Sequence, residues 1–342
     1  VLGISGCGVY VPSCRVKVSE IAAAWKVDTR LSGEKAVAYF DENVSTLAYN
    51  ACRNAIRHSG VEPKDIDALY LGTVSSPYTE ASLAAPLANA LGLPEDAEAA
   101  DFGASTRAGI AALQAGLDAL RSGRLSTILI VGTDILVGAP GTAFEYTAGS
   151  GAGACVLSGD GVIAEHEDSF FYTTGFADRW KTVNSMYPVF GDAGFVRRYG
   201  YVEHVVKAAK GLMAKLGFEP ENFNHVVLQQ QDRRMISEAA RRLGFTPEQL
   251  KAGSTIESFG DTGSASVLIG LSAVLDQAEP GQRVLLVSYG SGSSGALSFK
   301  VREEINSKRG NSTPVSSFKE NKKYIDYFTH LRQNRIITRT EQ

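Results

Sequence analysis

The sequence predicts an α/β protein of two stacked mixed sheets in five layers, α/β/α/β/α, its two halves related by an internal pseudo-two-fold repeat. Three segment pairs carry that expectation. ADFGASTRAGIAAL (100–113) resembles ESFGDTGSASVLIGL (257–271), RLSTILIVGTD (124–134) resembles GQRVLLVSYGSG (281–292), and ALYLGTVSS (68–76) resembles HVVLQQQ (225–231). The strand segments are continuously apolar and lie between helical segments, so each sheet is covered on both faces. A repeat of this kind predicts stacked halves whose loops face one cleft.

Along the chain, VLGISGCGVYVP (1–12) alternates as a strand does. DIDALYLGTVS (65–75) reads as a strand entering a loop, and LSTILIVGTDILVG (125–138) as a buried strand. ASLAAPLANALGL (81–93) and GIAALQAGLDALRSG (109–123) space their apolar residues as helices do, the second ending at Gly123. In the second half, HVVKAAKGLMAKLG (204–217) and RRMISEAARRLGF (233–245) are helices flanking the strand FNHVVLQQQ (223–231). DTGSASVLIGLSAVLDQA (261–278) is a helix opened by small residues, and RVLLVSYGSGSSGALSFKV (283–301) is a strand, a glycine turn and a strand.

This organisation divides the chain at 1–165, 166–301 and a tail at 302–342. The stretch around 160–200 is aromatic, charged and without period, too long for an idle connection, and reads as a functional insert. In the tail, Tyr324, Ile325, Tyr327, Phe328 and Leu331 make a short amphipathic docking segment.

Composition narrows the function classes. The 342 residues are 44% hydrophobic and 21% charged, ordinary for a globular chain. A net charge of −3 with no basic aromatic-rich stretch gives no footprint for nucleic acid. The longest apolar runs, such as Ile128–Val131, fall far short of the ~20 residues of a membrane span. The start of the chain lacks the basic region and cleavage site of a signal peptide. Cys7, Cys14, Cys52 and Cys155 are widely spaced without a C-x-x-C, which predicts reduced thiols, a cytoplasmic setting and no metal site. Cys7 and Cys155 sit in strand-like runs and are expected in the core.

The stretch 100–113 has the form of a strand-to-helix corner where acyl-transfer enzymes place a cysteine, yet it reads Ala104-Ser105-Thr106-Arg107. Together with GVYVPSCRV, GEKAV, DENVSTLAYNA, FEYTAGSGAGA, DRWK, SYGSGS and KKYIDYFTHLR, it resembles the thiolase superfamily, specifically hydroxymethylglutaryl-CoA synthases of the archaeal type. That resemblance implies the thiolase fold. It also implies chemistry resting on a cysteine nucleophile, a histidine and an asparagine at the second substrate's carbonyl, and a glutamate acid/base. At the matching positions this chain has Thr106, Gln229, Asp261 and Val74. A threonine hydroxyl is far less acidic than a thiol and needs an adjacent base; Gln229 cannot accept a proton at neutral pH, Asp261 would need a raised pKa, and Val74 does no proton chemistry. The expectation is therefore a degenerate site with no catalytic residue.

Ser105 offers a displaced nucleophile or merely helps the turn. Arg107, in the first turn of a helix, opposes the helix dipole and is expected to face a carboxylate such as Asp261. Trp180 and Lys181 fall where the family passes substrate and CoA, and Arg107 is expected to join them along that passage. His166, His204, His225 and His330 show no ligand spacing.

The chain also resembles the synthase-like subunit of bacterial diacetylphloroglucinol acetyltransferases at CRVKV, Trp25-Lys26, Gln229-Gln230 and GDTGSAS. By that resemblance it is a homodimeric, non-catalytic subunit of an acyltransferase complex of polyketide metabolism. A thiolase-like partner carries the cysteine, and a small OB-fold, zinc-ribbon protein holds any zinc, so this chain needs no cofactor. The complex would move an acetyl group to a phenolic ring carbon. The alternative is an active acyl-CoA-dependent acyltransferase or a divergent hydroxymethylglutaryl-CoA synthase using Ser105 or Thr106.

Overall fold

The computed structural model describes residues 1–28 and 32–338. Nine strands form its main sheet: β1 (Gly3–Tyr10), β2 (Ala68–Gly72), β3 (Glu98–Phe102), β4 (Thr127–Ile135), β5 (Ser150–Ser158), β6 (Ala164–Thr173), β7 (His225–Leu228), β8 (Arg283–Gly290) and β9 (Ser293–Val301). The spatial order is β7-β8-β9-β6-β1-β5-β4-β2-β3. Outward from β1 the first half runs β1-β5-β4-β2, and outward from β6 the second runs β6-β9-β8-β7. Strand directions repeat as well: antiparallel, antiparallel, then parallel in each half. The repeat read from sequence is thus a repeat of topology, and the thiolase fold follows.

Two details differ from a strict duplication. The half-sheets are stitched together where Gly3 and Ile4 pair with Glu165 and Ala164. And β3 has no counterpart, because ESFG forms a one-turn helix, Ile256–Phe259, where ADFG forms a strand. The Gln230 side chain sets that turn, its Oε1 accepting the N–H groups of Thr255 and Ile256.

Six helices complete the layers: α1 (Val44–Ser59), α2 (Ala84–Leu91), α3 (Ala108–Arg121), α4 (Glu203–Leu216), α5 (Arg233–Leu243) and α6 (Ser266–Leu275). α1 and α2 cover the outer face of β2, β4 and β5, while α4 and α5 cover β7, β8 and β9. Between the half-sheets lie α3 and α6, whose Ile110, Leu113, Val267, Leu268 and Leu271 meet Ile128, Leu157, Leu286 and Phe299 in the central core. Every residue of α6 is buried, which explains why its sequence is apolar all round rather than striped. Cys7 and Cys155 face each other across β1 and β5, buried and reduced, and burial pushes the Cys7 thiol up to about 12.

The insert forms a small hairpin, Arg179–Trp180 against Val189–Phe190, and leads through a π-helical segment, Val196–Val202, straight into α4. The tail docks on its own chain. Lys323–Tyr324 pairs with Cys14–Arg15, and the Tyr327 hydroxyl donates to Glu145 while accepting from the Trp25 indole. Residues 339–342 of that expected segment lie outside the described residues.

Contact between the halves requires missing side chains. A Cβ on Gly109 or Gly132 would lie 2.2 or 2.3 Å from the backbone oxygen of Ser264. Neither backbone can swing aside, so Gly132→Ala is expected to cost ~1–3 kcal/mol or more by overpacking. Urea denaturation reads this directly; an unchanged midpoint would contradict the close approach.

Candidate functional site

Loops from both halves meet beyond the C-terminal end of β4. Asp134, fully buried there, accepts from the Thr73 and Ser75 hydroxyls and the Val74 N–H through Oδ1, all at 2.8 Å. Its Oδ2 accepts the Ser264 N–H at 2.7 Å. One carboxylate thereby fixes the loop after β2 and ties it to the start of α6.

The elbow between β3 and α3 is the second component. Ala104 sits there at φ 66°, a left-handed conformation that costs a residue with a Cβ about 1–2 kcal/mol. The elbow is held from across the cleft by the turn between β8 and β9. Thr106 is buried and its hydroxyl donates to the Tyr289 carbonyl at 3.1 Å. A Cβ on Gly290 would lie 2.2 Å from Ser105 Oγ and 2.7 Å from Thr106 Oγ1, so the SYGSG glycine is what lets the turn close on the elbow. Asp101, before the elbow, caps α2 by accepting the Leu83 and Ala84 N–H groups.

A pocket of about 280 Å³ opens between these parts. Val74 and Thr106 line it, with Ser75, Ser105, Phe144, Arg179, Trp180, Lys181 and Ser291. Gln229 and Asp261 lie behind that wall and meet at Gly263. Gln229 Nε2 donates to the Gly263 carbonyl and the Gly263 N–H donates to Asp261, both at 2.9 Å. Gln229 Oε1 is buried without a partner. Asp261 reaches the pocket through Arg179, whose Nη1 lies 3.9 Å from its Oδ2.

The expected Arg107–Asp261 pair is not formed. Arg107 instead lies over the Phe171 ring at 5.7 Å, burial lowering its pKa, and it does not line the pocket. Arg179 holds the place beside Asp261 because the insert folds back over the cleft. The histidines take structural partners: His166 meets Arg121 and Ser169, His204 meets Thr174 and the Gly200 carbonyl, His225 meets Gln282, and His330 meets Asn334.

Chemically, the cleft presents the Ser105 and Thr106 hydroxyls and no thiol. All four cysteines are buried in the fold and none lines the pocket. The Thr106 proton is committed to a carbonyl, and no side chain of a described residue is placed to accept it. Among the described residues no cluster of His, Cys, Asp or Glu could hold a metal ion, and no helix is long and apolar enough to cross a membrane.

Comparison with known proteins agrees with this architecture. Over 342 residues the chain is 40% identical to the hydroxymethylglutaryl-CoA synthase of Methanocaldococcus jannaschii, covering 98% of this chain and 99% of the relative. It is 38% identical to that of Methanopyrus kandleri over 98% of both chains. The chain belongs to the hydroxymethylglutaryl-CoA synthase family. Residues 29–158 match the thiolase N-terminal domain and 213–301 the C-terminal part of 3-oxoacyl-[acyl-carrier-protein] synthase III. Among solved structures, MvaS in complex with 3-hydroxy-3-methylglutaryl coenzyme A superposes with a TM-score of 0.88 at 22% identity, covering 97% of this chain and 91% of that one. The 3-oxoacyl-[acyl-carrier-protein] synthase III of Aquifex aeolicus gives 0.78 at 21%, covering 88% and 100%. At those identities the likeness is one of fold.

Reading the sequence alone misses Asp134, Arg179, Tyr289 and the strain at Ala104. Asp134 ends a strand with no motif around it, and Arg179 reaches the cleft only because the insert folds back. The one available signal was positional: T-D in the first half aligns with Y-G in the second.

Burial lifts the Asp261 carboxyl from 3.8 to about 6, Arg179 and the Gly263 N–H opposing the rise and Asp134 adding to it. Between those values the folded chain binds more proton than the unfolded one. The associated stability is complete below about 3.8 and lost as pH rises through about 6. Asp261→Asn carries no such proton, so relative to wild type it should gain up to ~3 kcal/mol between pH ~4 and ~7, two units at ~1.4 kcal/mol each. Urea melts of both proteins at the two pH values measure it, and a pH-independent difference would contradict the assignment.

Proposed function

We propose that this chain is the non-catalytic, synthase-like subunit of a multi-subunit acyltransferase. A thiolase-like partner supplies the cysteine, a small OB-fold, zinc-ribbon protein completes the assembly, and this subunit is present as a homodimer. The observation that carries the proposal is the state of the elbow: the corner is kept, with its strain and its clamp from Gly290, while its hydroxyl is committed to the Tyr289 carbonyl. Gln229 and Asp261 are likewise spent on Gly263. The resemblance to diacetylphloroglucinol acetyltransferase subunits supports an electron-rich phenolic ring carbon as acceptor of the acetyl group.

In this reading the chain's residues shape a cleft and do not bond to the acyl group. Asp134 holds the loop after β2 against α6, the Arg179–Trp180–Lys181 segment covers the opening, and the elbow is a fixed wall.

A second reading is a divergent hydroxymethylglutaryl-CoA synthase, and the full-length identity with relatives of that name favours it over the first. Ser105 or Thr106 would then be the nucleophile, and Asp261, with its raised pKa, the group that exchanges a proton. The side-chain geometry speaks against it, since Asp261 faces Arg179 rather than Thr106.

Turnover of the native assembly separates the two. Thr106→Ala should change it by less than about tenfold, ~1.4 kcal/mol, because no transition-state interaction is removed. Thr106→Cys should not create condensation activity, since groups that act as a unit do not recover singly. A loss near ~10³-fold from Thr106→Ala with assembly intact would establish the second reading.

A further inference from the structure

The charged side chains lining the pocket are both cationic, Arg179 and Lys181; no acidic side chain of a described residue lines it. Arg179 is the better placed. Its side chain is 14% exposed, its guanidinium lies 5.1 Å over the Phe144 ring and 5.8 Å over that of Phe190, and the Ser291 hydroxyl donates to its backbone carbonyl. The head group is thus aimed by packing on aromatic faces. Its one ionic contact among the described residues is the 3.9 Å approach to Asp261, longer than a hydrogen bond, and its side chain donates no hydrogen bond to a described residue. A guanidinium has five N–H donors in a planar fork suited to two adjacent or delocalised oxygens. Beside it, the flat faces of Phe144 and Trp180 also line the pocket.

We propose that Arg179 anchors a small organic anion with a flat body in this cleft, its charged oxygen on the guanidinium fork and its body against Trp180 and Phe144. The proposal rests on reading the pocket as an acyl-transfer cleft and names its ligand class: a resonance-delocalised carboxylate or phenolate. An aromatic carboxylate and an ionised phenolic acceptor share that chemistry, and the probes below distinguish them. Asp261 helps by holding the guanidinium from behind; with its pKa already raised, it can lose Arg179 by taking up a proton instead of leaving a buried charge. Arg179→Gln should therefore fold.

The test is direct binding to the full-length chain, read by calorimetry and by tryptophan fluorescence. The chain has two tryptophans, Trp25 and Trp180, so a Trp25→Phe background isolates the pocket. The probes are benzoate, 1,3,5-trihydroxybenzene above and below its ionisation, and the uncharged benzamide and 1,3,5-trimethoxybenzene. At least one anion should bind and change Trp180 emission, its affinity falling at least about tenfold in Arg179→Gln, as expected for a charge-assisted bidentate contact. Arg179→Lys, which keeps the charge without the fork, should be intermediate, and it stands in if Arg179→Gln melts early. Dependence on Arg179 for benzoate assigns the carboxylate source, and for the ionised phenol the acceptor source. Neutral probes binding as well as anions, or anion affinity unmoved in both variants, would overturn the proposal. Acylation of the chain by an acyl-CoA is a separate readout: it would sink the non-catalytic reading and leave the Arg179 assignment standing.

Discussion

The cleft depends on one buried carboxylate. Asp134 is the penultimate residue of a central strand in the first half, and the donors it collects come from a loop of that half and the helix start of the other. A carboxylate buried this completely is tolerable only when its lone pairs are filled, and four donors fill them. Because the Ser264 N–H is one of the four, the halves cannot slide without stranding a charge. The small residues around it serve the same contact. Gly263 has φ 57°, and a Cβ there would lie 2.3 Å from Asp134 Oδ2, so the carboxylate and the turn can meet only at glycine.

That constraint fixes the form of the cleft independently of the side chains at positions 74, 106, 229 and 261. None of Asp134, Gly263, Gly290 or the strained Ala104 performs acyl chemistry, but together they hold the elbow against the opposite turn. The shape of the cleft is therefore maintained by residues other than those at positions 74, 106 and 229. Thr106 and Gln229 each donate to a backbone carbonyl across the cleft wall. The same reasoning gives Arg179 its interest, since it is a charged side chain aimed into the cleft that the fold does not need for its own hydrogen bonds.

Much of this was legible in the sequence. The repeat was visible because strands buried on both faces read as apolar runs and central helices as all-apolar ones, and α6 is the clearest case. The strand-to-helix corner at 100–113 could be read because it is written in small residues. Other features were not legible. ESFG and ADFG look alike, yet one is a helical turn and the other a strand, because Gln230 caps the first through side-chain acceptance that no periodicity records. Arg107 was assigned a carboxylate that belongs to Arg179, because the insert has no period from which its path over the cleft could be traced. The contact of the aromatic tail with Trp25 and Glu145 of the same chain is tertiary, and no local pattern records it.

The central claim is that this chain shapes an acyl-transfer cleft and does not carry the acyl group. Intact-protein mass measurement of the purified chain after incubation with acetyl-CoA addresses it most directly. An unchanged mass, with the thiolase-like partner acquiring the acetyl group when the assembly is reconstituted, is the result the account predicts. An added acetyl group that maps to residues 100–113 and disappears in Thr106→Ala or Ser105→Ala would contradict it.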